Sequence, residues 1–229
     1  MVLVVFVGPQ ASGKTTMAKL LIKKLLSRGL KICNAKLIDY TIFHHRFLKI
    51  LRLIVKDVDA SKVFVRLFPL YVLAHFVGVL ISEVKVVSLR LAKKCHIIVE
   101  DEGFIFKEIA DLYFIASSTG ALNERLNRYI MKAFMKFLLL QARTLIGSLI
   151  VFNVNSTYNA LVIRYKLRGK IEPKRYIDFQ VLLYRIMAHY IDTSYGDAWS
   201  WFSINMQDTD WTSISSYINY IVEILSGVR

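Results

Sequence analysis

The chain opens on six consecutive apolar residues, Val2 to Val7, too few for a helix and rich in β-branched side chains. Such a run predicts a strand buried on both faces, as in a parallel sheet. Gly8 stops it, and from Met17 to Leu26 the apolar positions recur at helical spacing until Gly29. Apolar runs then return at Lys31–Ile38, His96–Val99, Ser148–Val154 and Trp201–Asn205, each predicting a further strand. Between them the period is that of helices. From Thr41 to about Lys94 it predicts two or three helices, broken near Asp57–Ser61 and at Pro69, and it predicts a long helix over Leu122–Arg143 and a closing one over Thr212–Leu225. Strands that alternate with helices predict an α/β chain with a parallel sheet. The 229 residues suit a single domain, 1–229, with a small basic lid at about 163–177.

Between the first strand and the first helix lies Gly8-Pro9-Gln10-Ala11-Ser12-Gly13-Lys14-Thr15, which fits the phosphate-loop pattern G-x-x-x-x-G-K-[ST]. The order strand, loop, helix is what the chemistry requires. Backbone N–H groups of the loop and of the first helical turn converge on phosphate oxygens at the positive end of a helix. The pattern assigns Gly8 to Thr16 to a nucleoside triphosphate, expected to be ATP. Lys14 reaches the β- and γ-phosphates, and Thr15 places its hydroxyl on Mg²⁺.

The other strand ends supply candidate partners, because ligands of an open parallel sheet bind at the carboxyl ends. His96–Val99 runs into Glu100-Asp101-Glu102-Gly103. Asp101 is the expected principal acid, for the metal or the acceptor proton, and Glu100 or Glu102 assists. Alternation along a strand lets at most two of the three acids face one site. After the second strand, Asp39, Tyr40, His44, His45 and Arg46 are acceptor-side candidates, although Asp39 could equally cap the next helix. After the fourth strand Asn155-Ser156-Thr157 can cap a helix that carries Arg164 and Arg168. Seven basic and two acidic residues fall between Leu161 and Arg185, charge that a transferred phosphoryl group would need around it.

A formal net charge of +14 adds a second expectation, an anionic partner besides the nucleotide. Arg125, Arg128, Lys132, Lys136 and Arg143 fall on one face of the long fourth-region helix, a stripe suited to nucleic acid or an anionic membrane, or simply a solvated outer face. Hydrophobic content is 55%. The most apolar stretch, Leu67–Ile81, is short for a span and holds Pro69, His75 and Gly78, so it reads as a buried helix. Nothing before Val2 has the charge of a secretory leader, and the chain is expected in the cytoplasm, with attachment at a membrane surface left open. Cys33 and Cys95 have no metal-ligand spacing; they would begin neighbouring strands, which leaves a disulfide open, and a pair of free buried thiols is the expected state. No N-K-x-D follows a strand, no D-x-x-G lies before the third strand, and no zinc spacing or RNA-recognition signature occurs.

GPQASGKT after the first strand, IIVEDEG at the third and LIVFNVNSTYNALVIRYKLRG at the fourth together resemble the thymidylate kinase-like group of P-loop nucleotide and nucleoside kinases. The resemblance extends weakly to WFSIN and the last helix. It implies a three-layer sandwich around a five-stranded parallel sheet of order 2-3-1-4-5, ATP on the loop, lid arginines at Arg164 and Arg168, and the loop from Asn205 to Asp208 near the adenine. It also implies a homodimer. Thymidylate kinases usually carry an arginine after the acid that ends strand three, to grip the acceptor's phosphate; this chain has Asp101-Glu102-Gly103. An acid there repels a monophosphate and favours a hydroxyl-bearing acceptor such as a nucleoside. A nucleotide-driven ATPase that docks on nucleic acid or membrane is the alternative of another class.

Overall fold

In a computed structural model the structure describes residues 2–34, 60–92, 95–101, 104–146, 148–194, 199–205 and 211–227. In chain order the elements are β1 (Val2–Val7), α1 (Lys14–Ser27), β2 (Ile32–Asn34), α2 (Ala60–Leu91), β3 (Ile97–Glu100), α3 (Phe104–Ser118), a 3-10 turn (Ala121–Asn123), α4 (Arg125–Ile146), β4 (Ser148–Asn155), α5 (Tyr158–Leu167), α6 (Lys174–Ser194), β5 (Trp199–Asn205) and α7 (Trp211–Ser226). The chain groups into two compact units.

The first unit comprises Met1–Ala35, Leu89–Gly103 and Ile146–Arg229 and contains the sheet. All strands are parallel, in the order β2-β3-β1-β4-β5, so β1 and its loop occupy the centre. All six residues of β1 are buried, which explains why its sequence shows no polar alternation. On one face Val2, Val4 and Phe6 meet Met17, Leu21 and Leu25 of α1 and Ile214, Ile218, Ile221 and Leu225 of α7. The helical residues recur three or four apart, one apolar stripe per helix. Phe6, Phe152 and Phe202 stack across three strands at centroid distances of 5.4 and 5.3 Å.

Cys33 of β2 and Cys95, two residues before β3, form a disulfide with Cα atoms 5.6 Å apart. This corrects the expectation of free thiols. Pairing of Ile32 with Ile97 and of Cys33 with Ile98 brings the two backbones into bridging range, which burial statistics for cysteine could not convey.

The second unit comprises Lys36–Ser88 and Phe104–Leu145. Its main correction concerns Pro69, which does not break a helix but sits inside the 32-residue α2. Proline has no N–H to donate to the carbonyl four residues back, here Val65. The buried amide of Asn127 on α4 donates to that oxygen at 3.3 Å, so the group the proline leaves unpaired is satisfied from outside the helix. Phe64, Phe68, Tyr71, Val72, Val79 and Val86 form the buried side of α2, and Phe76 meets Phe134 and Phe137 of α4 at 6.2 and 5.1 Å. Within α2, Phe64–Leu89 is long and apolar enough to cross a membrane by length and composition.

Candidate active site

The loop between β1 and α1 takes its shape from backbone conformations that few residues tolerate. Gly8 has φ 135° and Gly13 φ 106°. A Cβ at Gly8 would collide with the carbonyl oxygen of Val154, so the loop passes against β4 only because residue 8 has no side chain. Ala11 also has a positive φ, 62°, costly for a side chain with Cβ. That conformation is held by burial, since Ala11 packs with Leu161 and Tyr165 of α5 and Ile177 of α6. The same burial pushes the Tyr165 phenol up to about 12, with Glu172 adding to the rise and Arg168 opposing it.

Polar contacts fix the rest of the loop. Gln180 of α6 accepts the Gln10 N–H on Oε1 at 3.0 Å. Its amide nitrogen donates to the Tyr176 hydroxyl at 2.7 Å, and that hydroxyl also accepts from Gln10 Nε2 at 3.3 Å. From α5 a guanidinium nitrogen of Arg164 donates to the Ser12 carbonyl at 3.1 Å, to the Ala11 carbonyl at 3.4 Å and to the Ser156 hydroxyl at 3.2 Å. Partial burial, then the charge of Arg168, lowers the pKa of Arg164. The lid arginine expected at 164 therefore lies against the phosphate loop's carbonyls. Arg168, at the end of α5, is exposed. Thr157 caps α5 by accepting from Ala160 N, one of the three residues expected to do so.

Lys14 opens α1, and its ammonium donates to the carbonyls of Gly8 and Pro9 at 2.9 and 2.7 Å. Gly13 precedes it with no side-chain cap, and the first turn of α1 carries no acid. A helix start of this kind presents uncapped N–H groups and positive potential to whatever lies above it. Ser12 adds a buried hydroxyl with no hydrogen-bond partner among the described residues. Thr15 and Thr16 are exposed. These groups fit a polyphosphate: amides, a hydroxyl and a cation, with no acid in the first turn of α1.

Glu100 is the last residue of β3, 4% exposed and in register with Val5 of β1, and half-buried Asp101 follows it. Both acids thus stand at the carboxyl end of the strand beside the one that feeds the loop. Asn205 ends β5 in register with Asn155 of β4, at the same end of the sheet. Among the described residues no group of three or more His, Cys, Asp or Glu is placed to hold a metal. Mg²⁺ needs only one or two protein ligands beside phosphates and water. Asp39, Tyr40, His44, Arg46 and Glu102 lie outside the described residues. Sequence reasoning missed Gln180 and Tyr176; helical periodicity had no way to pair α6 with a loop 170 residues earlier.

A parallel sheet whose central strand runs through this loop into a helix has the fold of a P-loop kinase, and comparison with solved structures gives the same answer. Deoxyadenosine kinase from M. mycoides with bound dCTP matches with a TM-score of 0.58 and 14% identity, over 97% of this chain and 100% of that one. The same enzyme with bound dATP gives 0.58 and 16%, over 96% and 99%. With products dCMP and a flexible dCDP it gives 0.54 and 14%, over 97% and 100%. No protein-family model matches the chain, and no curated protein matches it by sequence.

Proposed function

We propose that the protein is a kinase that moves the γ-phosphoryl group of Mg·ATP to the hydroxyl of a small acceptor, a nucleoside first among them. The observation that carries the reading is the loop itself: Lys14 and an uncapped, acid-free helix start after β1, with Glu100 ending the neighbouring strand and Asp101 following it. In this reading the amides from Gly8 to Thr16 hold the phosphates. Lys14 would balance charge on the β- and γ-oxygens, and Thr15 and Asp101 would hold Mg²⁺, which would supply further positive charge to the phosphates. Asp101, with Glu100 or Glu102, takes the proton of the attacking hydroxyl. Arg168, and Arg164 to the extent that it leaves the loop carbonyls, neutralise the transferred group; residues 163–177 act as the lid. Asp39, Tyr40, His44 and Arg46 are the proposed acceptor residues. The solved neighbours, deoxyadenosine kinases, favour a deoxynucleoside within this class.

The deciding experiment is ADP release from Mg·ATP with deoxynucleosides, nucleosides, sugars and nucleoside monophosphates offered in turn. Nucleoside-dependent turnover is expected. Preference for a monophosphate would overturn the role given to Glu102, and turnover indifferent to every small acceptor would remove the kinase reading.

A smaller effect tests the loop anchors. Gln180→Leu takes away the acceptor of the Gln10 N–H and should weaken ATP binding about tenfold, roughly the value of one buried hydrogen bond, in a titration calorimeter. An unchanged Kd would show that Gln180 does not position the loop.

A further inference from the structure

The disulfide between Cys33 and Cys95 joins two unlike surroundings. Cys33 of β2 is half-buried, whereas Cys95 is 4% exposed, so a reagent reaches the bond from the Cys33 side. The charge along both flanking stretches is of one sign. No acid occurs before Asp39 and none between Glu83 and Glu100, while Arg28, Lys31, Lys36, Arg90, Lys93 and Lys94 all fall within five residues of one cysteine or the other. Glu100, the acid nearest to Cys95 in sequence, stands at the far end of β3. The backbone brings two basic residues close to the bond: the His96 N–H donates to the Lys31 carbonyl at 2.8 Å, and both residues are exposed. Positive charge beside a disulfide attracts an anionic thiolate and favours departure of the second sulfur as a thiolate. The bond also holds a weak element. β2 is three residues long and lies at the edge of the sheet, with β3 as its neighbour. Cys33 precedes the point, Ala35, where the first unit gives up the chain, and Cys95 follows its return at Leu89, so the bond closes the stretch that enters the second unit.

We propose that Cys33–Cys95 is a thiol-exchange site for a small anionic thiol, and that its opening loosens β2 from β3. The attacking thiolate forms a bond to Sγ of Cys33, the S–S bond breaks, and Cys95 leaves as a thiolate that takes a proton from water. A second thiol then attacks the outer sulfur of the mixed disulfide and releases Cys33. Two small thiols are thereby oxidised to one disulfide, and the protein gains two S–H groups. Loss of the crosslink frees the unfolded chain across a sequence separation of 62, and the edge strand is left with its backbone pairing to β3 and the packing of Ile32 on the core. The kinase reading requires none of this, and the test uses no turnover.

Thiol exchange on the native, oxidised, full-length chain decides the matter, with glutathione as the anionic probe and cysteamine as the cationic one, at equal thiolate concentrations and low salt. Glutathione should open the bond about fivefold faster, and added salt should remove most of the difference. Lys31→Glu, a change at an exposed side chain, should abolish the preference. Peptide mapping after an acid quench should find the glutathionyl group on Cys33. Once the bond is reduced, amides of β2 should exchange with deuterium at least about tenfold faster while those of β4 keep their protection. Two thiols still free after treatment with glutathione disulfide would overturn the proposal, as would a bond that neither probe opens short of denaturation. Equal rates for the two probes, an adduct on Cys95 or unchanged exchange in β2 would each overturn it as well.

Discussion

Lys14→Ala should lower phosphoryl transfer by about three orders of magnitude while leaving the fold in place. Loss of a single preorganised donor to a developing charge already costs on the order of 10²–10³ in rate, and here the group removed is a full charge at the helix start. The structural cost is small. The ammonium donates to the Gly8 and Pro9 carbonyls from a half-buried position, and water can replace it at both oxygens. Gly13, Ala11 and the contacts from Gln180 and Arg164 hold the loop independently of that side chain. The measurement is single-turnover transfer from γ-labelled ATP, with the thermal midpoint recorded alongside. Retention of a tenth or more of the wild-type rate with an unshifted midpoint would mean that transfer does not depend on this loop.

The contrast between what could be read and what could not follows from the range of the forces involved. The phosphate loop and its flanking elements were legible because each rests on local chemistry: β-branched residues before Gly8, glycines where φ is positive, helical spacing after Lys14. Pro69 misled for the same reason. Its effect on a helix is local, but the remedy is Asn127, which lies 62 residues away from Val65 and belongs to another helix. The disulfide needed the register of β2 on β3, and the Gln10–Gln180–Tyr176 bonds needed the placement of α6; neither has a periodic signature. Charge patterning placed Arg125, Arg128, Lys132, Lys136 and Arg143 on one helix face, and the first four are exposed on α4. The high apolar content of α2 has a physical source that hydropathy alone could not separate from a membrane span: Phe64, Phe68, Tyr71, Val72, Val79 and Val86 are buried, while Leu70, Leu73, Val77, Ile81 and Val84 are exposed.

The stability of the protein should fall as pH rises from about 5 to 8, and Glu83→Gln should abolish most of that fall. Glu83 sits on α2, 1% exposed, and neither carboxylate oxygen has a hydrogen-bond partner among the described residues. Desolvation by burial raises its pKa from 4.5 to about 7. The native state therefore holds a proton that the unfolded chain has already released, and linkage fixes the sign. Below pH 4.5 both states are protonated and nothing is lost. Between 4.5 and 7 the unfolded state gains by ionising, and above 7 the native state carries a buried charge. The penalty at pH 8 is on the order of 2–3 kcal/mol, which for a chain of this size corresponds to roughly 4–10 °C in the thermal midpoint. Glutamine keeps the size and polarity of the acid but cannot ionise, so the variant should match the wild type near pH 5 and exceed it at pH 8. Exposed Glu124, in the same unit, provides the comparison, because Glu124→Gln removes a carboxylate that water already solvates. Differential scanning calorimetry across this range decides the matter. Parallel curves for wild type and Glu83→Gln would show that the carboxylate finds a partner or water on ionising, whereas divergence above pH 6 would establish it as a buried acid that the fold carries at a cost.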